Sequence, residues 1–104
     1  MKLVFVYVTA GSRKEARTIG RALVTSRLAA CVNLSGPIRS IYRWKGTMCE
    51  DAEWALIAKT RASKVAALVR KVKALHSYEV PCVVALPILK GNPRFMRWVV
   101  EETA

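Results

Sequence analysis

Apolar and polar positions change period several times along this chain, and each change marks an element. Leu3, Phe5 and Tyr7 interleave with Val4, Val6 and Val8 in one continuous apolar run. Such a run reads as a strand covered on both faces. Gly11 breaks it, and Ser12-Arg13-Lys14-Glu15 reads as a capping box at a helix start. Ala16, Ile19 and Leu23 then recur at helical spacing, which predicts an amphipathic helix over 13–27. Leu28 to Leu34 returns to strand, Gly36-Pro37 interrupts, and Ile38 to Lys45 resumes with Ile, Tyr and Trp. Lys45-Gly46-Thr47 predicts a hairpin turn. Cys49 to Asp51 carries no clear pattern. From Glu53 to Thr60 the residues alternate, Trp54, Leu56 and Ala58 on one side and Ala55, Ile57 and Lys59 on the other.

Ser63 is the expected cap of a second helix, in which Val65, Leu68, Val69, Val72 and His76 share a face. Val80 to Ile88 reads as the fourth strand, with Pro81 and Pro87 at its ends. Gly91-Asn92-Pro93 opens a last helix, asparagine at the N-cap and proline at the first helical position, with Phe95, Trp98 and Val99 as its apolar stripe. The order is strand, helix, strand, strand, helix, strand, then a C-terminal helix. It predicts a ferredoxin-like α/β (α+β) subunit, βαββαβ, with two helices on one face of an antiparallel sheet. Several strands are apolar on both faces, and no helix remains to cover the second. Self-association is therefore expected on physical grounds.

Composition narrows the setting. A length of 104 residues fits one domain, residues 1–104. At 53% hydrophobic the chain can build a core, which excludes a disordered segment. The first apolar run is too short to span a membrane or to serve as a secretory leader. Cys31, Cys49 and Cys82 are odd in number and lack Cys-x-x-Cys spacing. Reduced thiols and a cytoplasmic location are expected. Eighteen Lys and Arg against seven Asp and Glu leave a net charge of +11, which attracts polyanions. Two sets of those charges, Arg13, Lys14, Arg17 and Arg21 and Lys64, Arg70, Lys71 and Lys73, fall on the two expected helices and read as solvated faces.

Five blocks carry a resemblance over nearly the whole chain. They are Arg27 to Asn33, Ser40-Ile-Tyr42-x-Trp44-x-Gly46, Lys59-Thr60, Leu75-His76-x-Tyr78-Glu79-Val-Pro81 and Gly91-Asn92-Pro93. In order and spacing they resemble the CutA family, the divalent-cation tolerance proteins. The resemblance implies a ferredoxin-like subunit in a homotrimer similar in plan to the PII proteins, linked to copper or another divalent cation. Two positions depart from the family pattern. Ser77 replaces a proline between His76 and Tyr78, and Cys82 replaces an acidic residue after Val80-Pro81. The copper ligands proposed for some bacterial members are a strand cysteine and two histidines. Val8, Leu75 and His76 occupy the matching places here.

The chemistry-bearing residues admit four readings. His76 with Cys82, six residues on, offers imidazole and sulfur to a weakly held metal ion, copper first. Alternatively, His76 is structural, bonded to Glu79 or to a neighbouring chain. Cys31 with His76 suggests a nucleophile and base, but Cys31 sits within an apolar run and no catalytic loop is visible; the expectation is no enzyme. Phe5 and Tyr7 are spaced like base-stacking aromatics, yet the basic-aromatic signature is missing from Glu53 to Thr60, so nucleic-acid binding is not expected. Trp44, Lys59, Tyr78 and Glu79 are the candidates to line an intersubunit cleft for a small anion, a reading by fold analogy alone. Glu50, Asp51 and Glu53 read as a solvated acidic turn.

Overall fold

The computed structural model describes all 104 residues. Strand β1 (Leu3–Ala10) leads to α1 (Arg13–Thr25), then to the long strands β2 (Cys31–Trp44) and β3 (Thr47–Arg61). A short 3-10 turn (Ala62–Lys64) runs into α2 (Val65–Leu75), followed by β4 (Val83–Pro87) and α3 (Pro93–Glu102). The sheet order is β2-β3-β1-β4, antiparallel throughout, which is the ferredoxin-like order the pattern predicts.

Strand alternation sorts the core. Val6, Val8 and Ala10 of β1 pair with Ala58, Leu56 and Trp54 of β3, so all six point to one face. There α1 supplies Ala16, Ile19 and Leu23 and α2 supplies Leu68 and Val72, closing one apolar cluster. On the other face α3 covers only one end, through Val99 against Leu3 and Ala30. Arg61 holds it there, its guanidinium donating to the Val100 carbonyl at 2.5 Å and to Thr103 Oγ1 at 3.1 Å. The rest of that face stays open. Phe5 is 42% exposed, and Val84 and Leu86 are each 52% exposed.

Local sequence explains most boundaries. Ser12 caps α1, its Oγ accepting from the Glu15 amide at 3.1 Å. Glu15 reaches past the cap to the Gly11 N–H at 3.3 Å, so the reciprocal half of the box lands one residue earlier than in the usual motif. Asn92 Oδ1 accepts from the Arg94 amide with Pro93 at the first helical position, as the sequence predicts. Lys45 and Gly46 both have positive φ, 49° and 81°, and form the two-residue loop between paired Trp44 and Thr47. That is the turn whose twist suits a hairpin.

Four expectations need correction. Ser63 does not cap α2: it lies inside the 3-10 turn, and Lys64 precedes the helix without a side-chain cap. The fourth strand is Val83–Pro87 rather than Val80 to Ile88, because the segment after α2 first has to reverse direction. Helix α1 ends at Thr25, and Arg27 takes a φ of 60°. Cys49 to Asp51 lies in the first part of β3, next to the hairpin, with Glu50 and Asp51 paired to Ile41 and Ser40. A solvated turn is therefore not what these acids form.

One irregularity in β2 has a large effect. Ser35 pairs with Ala55 but Ile38 pairs with Glu53, so β2 spends one more residue than β3 across Gly36-Pro37. A bulge of one residue reverses the alternation. Val32 and Leu34 share the helix-covered face, whereas Tyr42 and Trp44 beyond the bulge share the open face with Glu53. Gly36 is required there, since a Cβ on it would lie 2.6 Å from Cδ2 of Trp54. Gly36→Ala is expected to destabilise the fold by about 1–3 kcal/mol through overpacking against that ring. Urea denaturation would measure the shift in midpoint.

Candidate functional site

The open face ends, on the hairpin side, in a cleft of about 540 Å³. Tyr7 and Thr9 of β1 form its floor with Glu53 of β3. Ser40, Tyr42 and Trp44 approach from β2, re-aimed by the bulge, and Tyr78, Glu79, Val80 and Cys82 from the segment before β4. All three tyrosines of the chain therefore face one space.

Hydrogen bonds fix the walls. Tyr78 donates its hydroxyl to Glu53 Oε2 at 2.7 Å, and Tyr42 donates to Asp51 Oδ2 at 2.5 Å. Burial and then the Glu53 bond push the Tyr78 phenol well up from its ordinary value. The bond to Asp51 pushes Tyr42 up to about 12. Both hydroxyls thus stay protonated at neutral pH and remain donors. Cys82 is also raised, first by burial and then by the Glu53 charge, against a hydrogen bond with the Thr9 side chain that lowers it. A raised thiol pKa leaves little thiolate at neutral pH.

His76 stands behind this wall. Its ring is 0% exposed and bridges two segments. Nε2 donates to the Thr9 carbonyl at 2.7 Å, while Nδ1 accepts from the Tyr78 amide at 3.0 Å. The ring lies tilted at 54° against the Tyr78 ring, centroids 4.6 Å apart. Both nitrogens are engaged within the chain, so the structural partners are Thr9 and Tyr78. Glu79 is not one of them: it is solvent-exposed, 3.9 Å from Lys45 Nζ.

Glu15 completes the seam. Oε2 accepts from the Ser77 amide at 3.2 Å, and Oε1 lies 3.7 Å from His76 Nδ1. Burial alone would raise its pKa. Hydrogen bonds from Ser77 and Gly11 and the nearby His76 outweigh that and hold it below the usual carboxylate value.

The structure brings some sequence candidates together and separates others. His76 and Cys82 both lie near Thr9: His76 bonds its carbonyl, and Cys82 lines the cleft beside it. No three His, Cys, Asp or Glu side chains converge as a metal site would need. Within one chain, then, the residues present do not fit a resident copper ion. Trp44, Tyr78 and Glu79 line the cleft, but Lys59 does not. Lys59 bonds Asn33 Oδ1 and lies 5.7 Å over the Phe5 ring, four residues further along the sheet than the Thr9–Ala55 pair. Cys31 pairs with Lys59 at that same far end, about 13 Å of strand from the Thr9 row, so Cys31 and His76 form no nucleophile–base pair. Glu53, Tyr42 and Glu15 were not singled out as site residues by sequence. Only the alternation of β3, continued through the bulge, carries a signal for the first two.

A sequence profile described as CutA1 divalent ion tolerance protein matches residues 4–102. The chain belongs to the CutA family. A divalent-cation tolerance protein CutA from Thermus thermophilus is 49% identical over 98 residues, covering 94% of this chain and 95% of that relative. A structure from Archaeoglobus fulgidus, described as a periplasmic divalent cation tolerance protein CutA, superposes with a TM-score of 0.95 at 42% identity, covering 98% and 99% of the two chains. The rice protein CutA 1, described as chloroplastic, is 42% identical over 100 residues and covers 96% of this chain. The chain spans 56% of that plant relative. Family members are thus described from different compartments. In this chain, no helix is long and apolar enough to cross a membrane.

The lowered carboxyl of Glu15 has a defined consequence. Its ionised form stabilises the fold above the ordinary carboxylate value of 4.5, and this contribution disappears as pH falls through its lower folded value. Glu15→Gln is expected to cost about 1.5–3 kcal/mol at neutral pH, as for hydrogen bonds to a charged group, and to flatten the acid limb of the stability curve. Thermal melts of both proteins from neutral pH to below that of the lowered carboxyl would check it.

Proposed function

We propose that the chain, as a single CutA-like domain over residues 1–104, acts in divalent-cation tolerance as a cytoplasmic, non-catalytic homotrimer with a PII-like plan. The observation that carries this reading is the open sheet face. Phe5, Val84 and Leu86 lie side by side on it through the Phe5–Leu86 and Tyr7–Val84 pairings, exposed in one chain. Burying such a face stabilises by about 25 cal/mol for each Å² removed from water, and identical chains are the available cover. Family membership supports a role in cation tolerance. The different-class reading, a basic trimer that binds a small anion or nucleic acid, has less support, since the cleft is walled by carboxylates and Lys59 lies outside it within one chain.

The tolerance role then belongs to the assembled scaffold rather than to a metal centre in each subunit. A second reading rests on His76 and Cys82 both lying near Thr9. There a weakly held copper or other divalent ion would have to displace the Tyr78 amide from Nδ1. Calorimetric copper titration against a competing chelator decides between them. The scaffold reading expects no site that outcompetes the chelator. Saturable binding abolished by His76→Ala would establish the metal reading instead.

Apolar cover also fixes the response to salt. The net charge of +11 per chain repels its copies, but salt screens this beyond about 8–10 Å. Sedimentation is expected to show one trimeric species from low to high ionic strength. A monomer at either extreme would overturn the apolar-face assembly.

A further inference from the structure

Glu53 is the sole buried acid of the chain, 8% exposed in a protein with eighteen basic residues. No lysine, arginine or histidine forms an ion pair with it. Its Oε2 accepts from Tyr78, and its second oxygen has no partner within the chain and opens onto the cleft rather than being sealed from it. The chain itself supplies no counter-charge to this carboxylate, whereas largely buried charges in proteins are ordinarily paired. This one sits at the floor of the 540 Å³ cleft, walled by the rings of Tyr7, Tyr42, Trp44 and Tyr78.

We propose that this cleft binds a primary ammonium group carried on an alkyl stem, with Glu53 as the counter-charge. Aromatic faces attract a cation through their quadrupoles and also cover an apolar stem. The N–H donors of an ammonium satisfy the unpartnered Glu53 oxygen, which a quaternary ammonium would leave unmet. Hard divalent ions call for several oxygen ligands, and no three acidic, histidine or cysteine side chains converge here. An anion is disfavoured by Glu53, by Asp51 behind Tyr42 and by Glu79 at the rim, where the exposed Lys45 is the one facing cation. Arrangement of the aromatics on this face follows from the bulge at Gly36-Pro37, which turns Tyr42 and Trp44 toward Glu53. The ammonium has two sources, a free aliphatic amine or the lysine side chain of a second copy of this chain.

The test titrates the full chain, in its native assembly, with putrescine and with butylammonium chloride. Tryptophan fluorescence and calorimetry report binding, and magnesium chloride at matched ionic strength is the control. Saturable amine binding is expected, weakened about tenfold or more by Glu53→Gln, as for loss of a buried charged hydrogen bond. Trp44→Ala, on the exposed hairpin and away from the core, should weaken it also and guards against misfolding of the first variant. Sedimentation separates the sources. Binding with assembly size unchanged assigns the ammonium to a free amine. Loosening of the assembly both by Glu53→Gln and by saturating putrescine on the unaltered protein assigns it to a lysine of a second copy. The proposal fails if neither amine binds and neither treatment alters assembly. It fails equally if both variants bind amines like the parent, or if magnesium displaces the amine.

Discussion

Strand β1 sets the terms for the rest of the molecule. It hydrogen-bonds to β3 on one side and β4 on the other, and its side chains are apolar toward both faces. One face is closed by α1 and α2 around Val6 and Val8. The other has only α3, and α3 reaches only as far as Leu3. A central strand apolar on both faces calls for two covering layers, and this chain supplies one in full and part of the other. The proposed self-association rests on that shortage, and the cleft lies at the end of the face that α3 leaves open.

The seam between α2 and β4 shows how a polar cluster supports an apolar design. Val8–Val83 is the last pair between β1 and β4, and one residue further on the Thr9 carbonyl accepts from the His76 ring. A side chain thus supplies a donor where the strand ladder has stopped. Through Nδ1 the same ring holds the Tyr78 amide, and Tyr78 in turn reaches Glu53. Glu15, from the first turn of α1, ties in Ser77 and places its negative charge at the helix end that favours it. The imidazole itself bonds Thr9 and Tyr78, and through Tyr78 and Ser77 the seam extends to Glu53 and Glu15, so segments distant in sequence meet around one buried ring.

The fold was legible because hydrophobic period is a local signal. The continuous apolar run of β1, the alternation in β3, helical spacing in α1 and α2, and the Asn92-Pro93 start of α3 each identify their element within a few residues. The cleft was legible in part. Trp44, Tyr78 and Glu79 stood in recognisable blocks, whereas Lys59 stood in one too and lies elsewhere. A motif records that a residue matters to a family of structures and says nothing of which end of a sheet it occupies. Glu53 was read as solvated since it follows Glu50 and Asp51, and three acids in four positions look like surface. Its burial depends on Tyr78, 25 residues away, and on a one-residue register shift in β2, neither of which a short window contains.

The β2–β3 ribbon extends beyond the last β1–β3 pair, Ala10–Trp54, and helps draw the molecule out to 44 Å. It ends in only two residues, Lys45 and Gly46, with Trp44 and Thr47 already paired. Protruding segments are the usual places where a protease nicks a native protein, provided slack chain can be drawn into its active site. Here there is no slack. Cleavage near the tip would require peeling both strands from each other, against a ladder that begins immediately at the turn. An arm so exposed should therefore survive digestion intact for as long as its ladder holds.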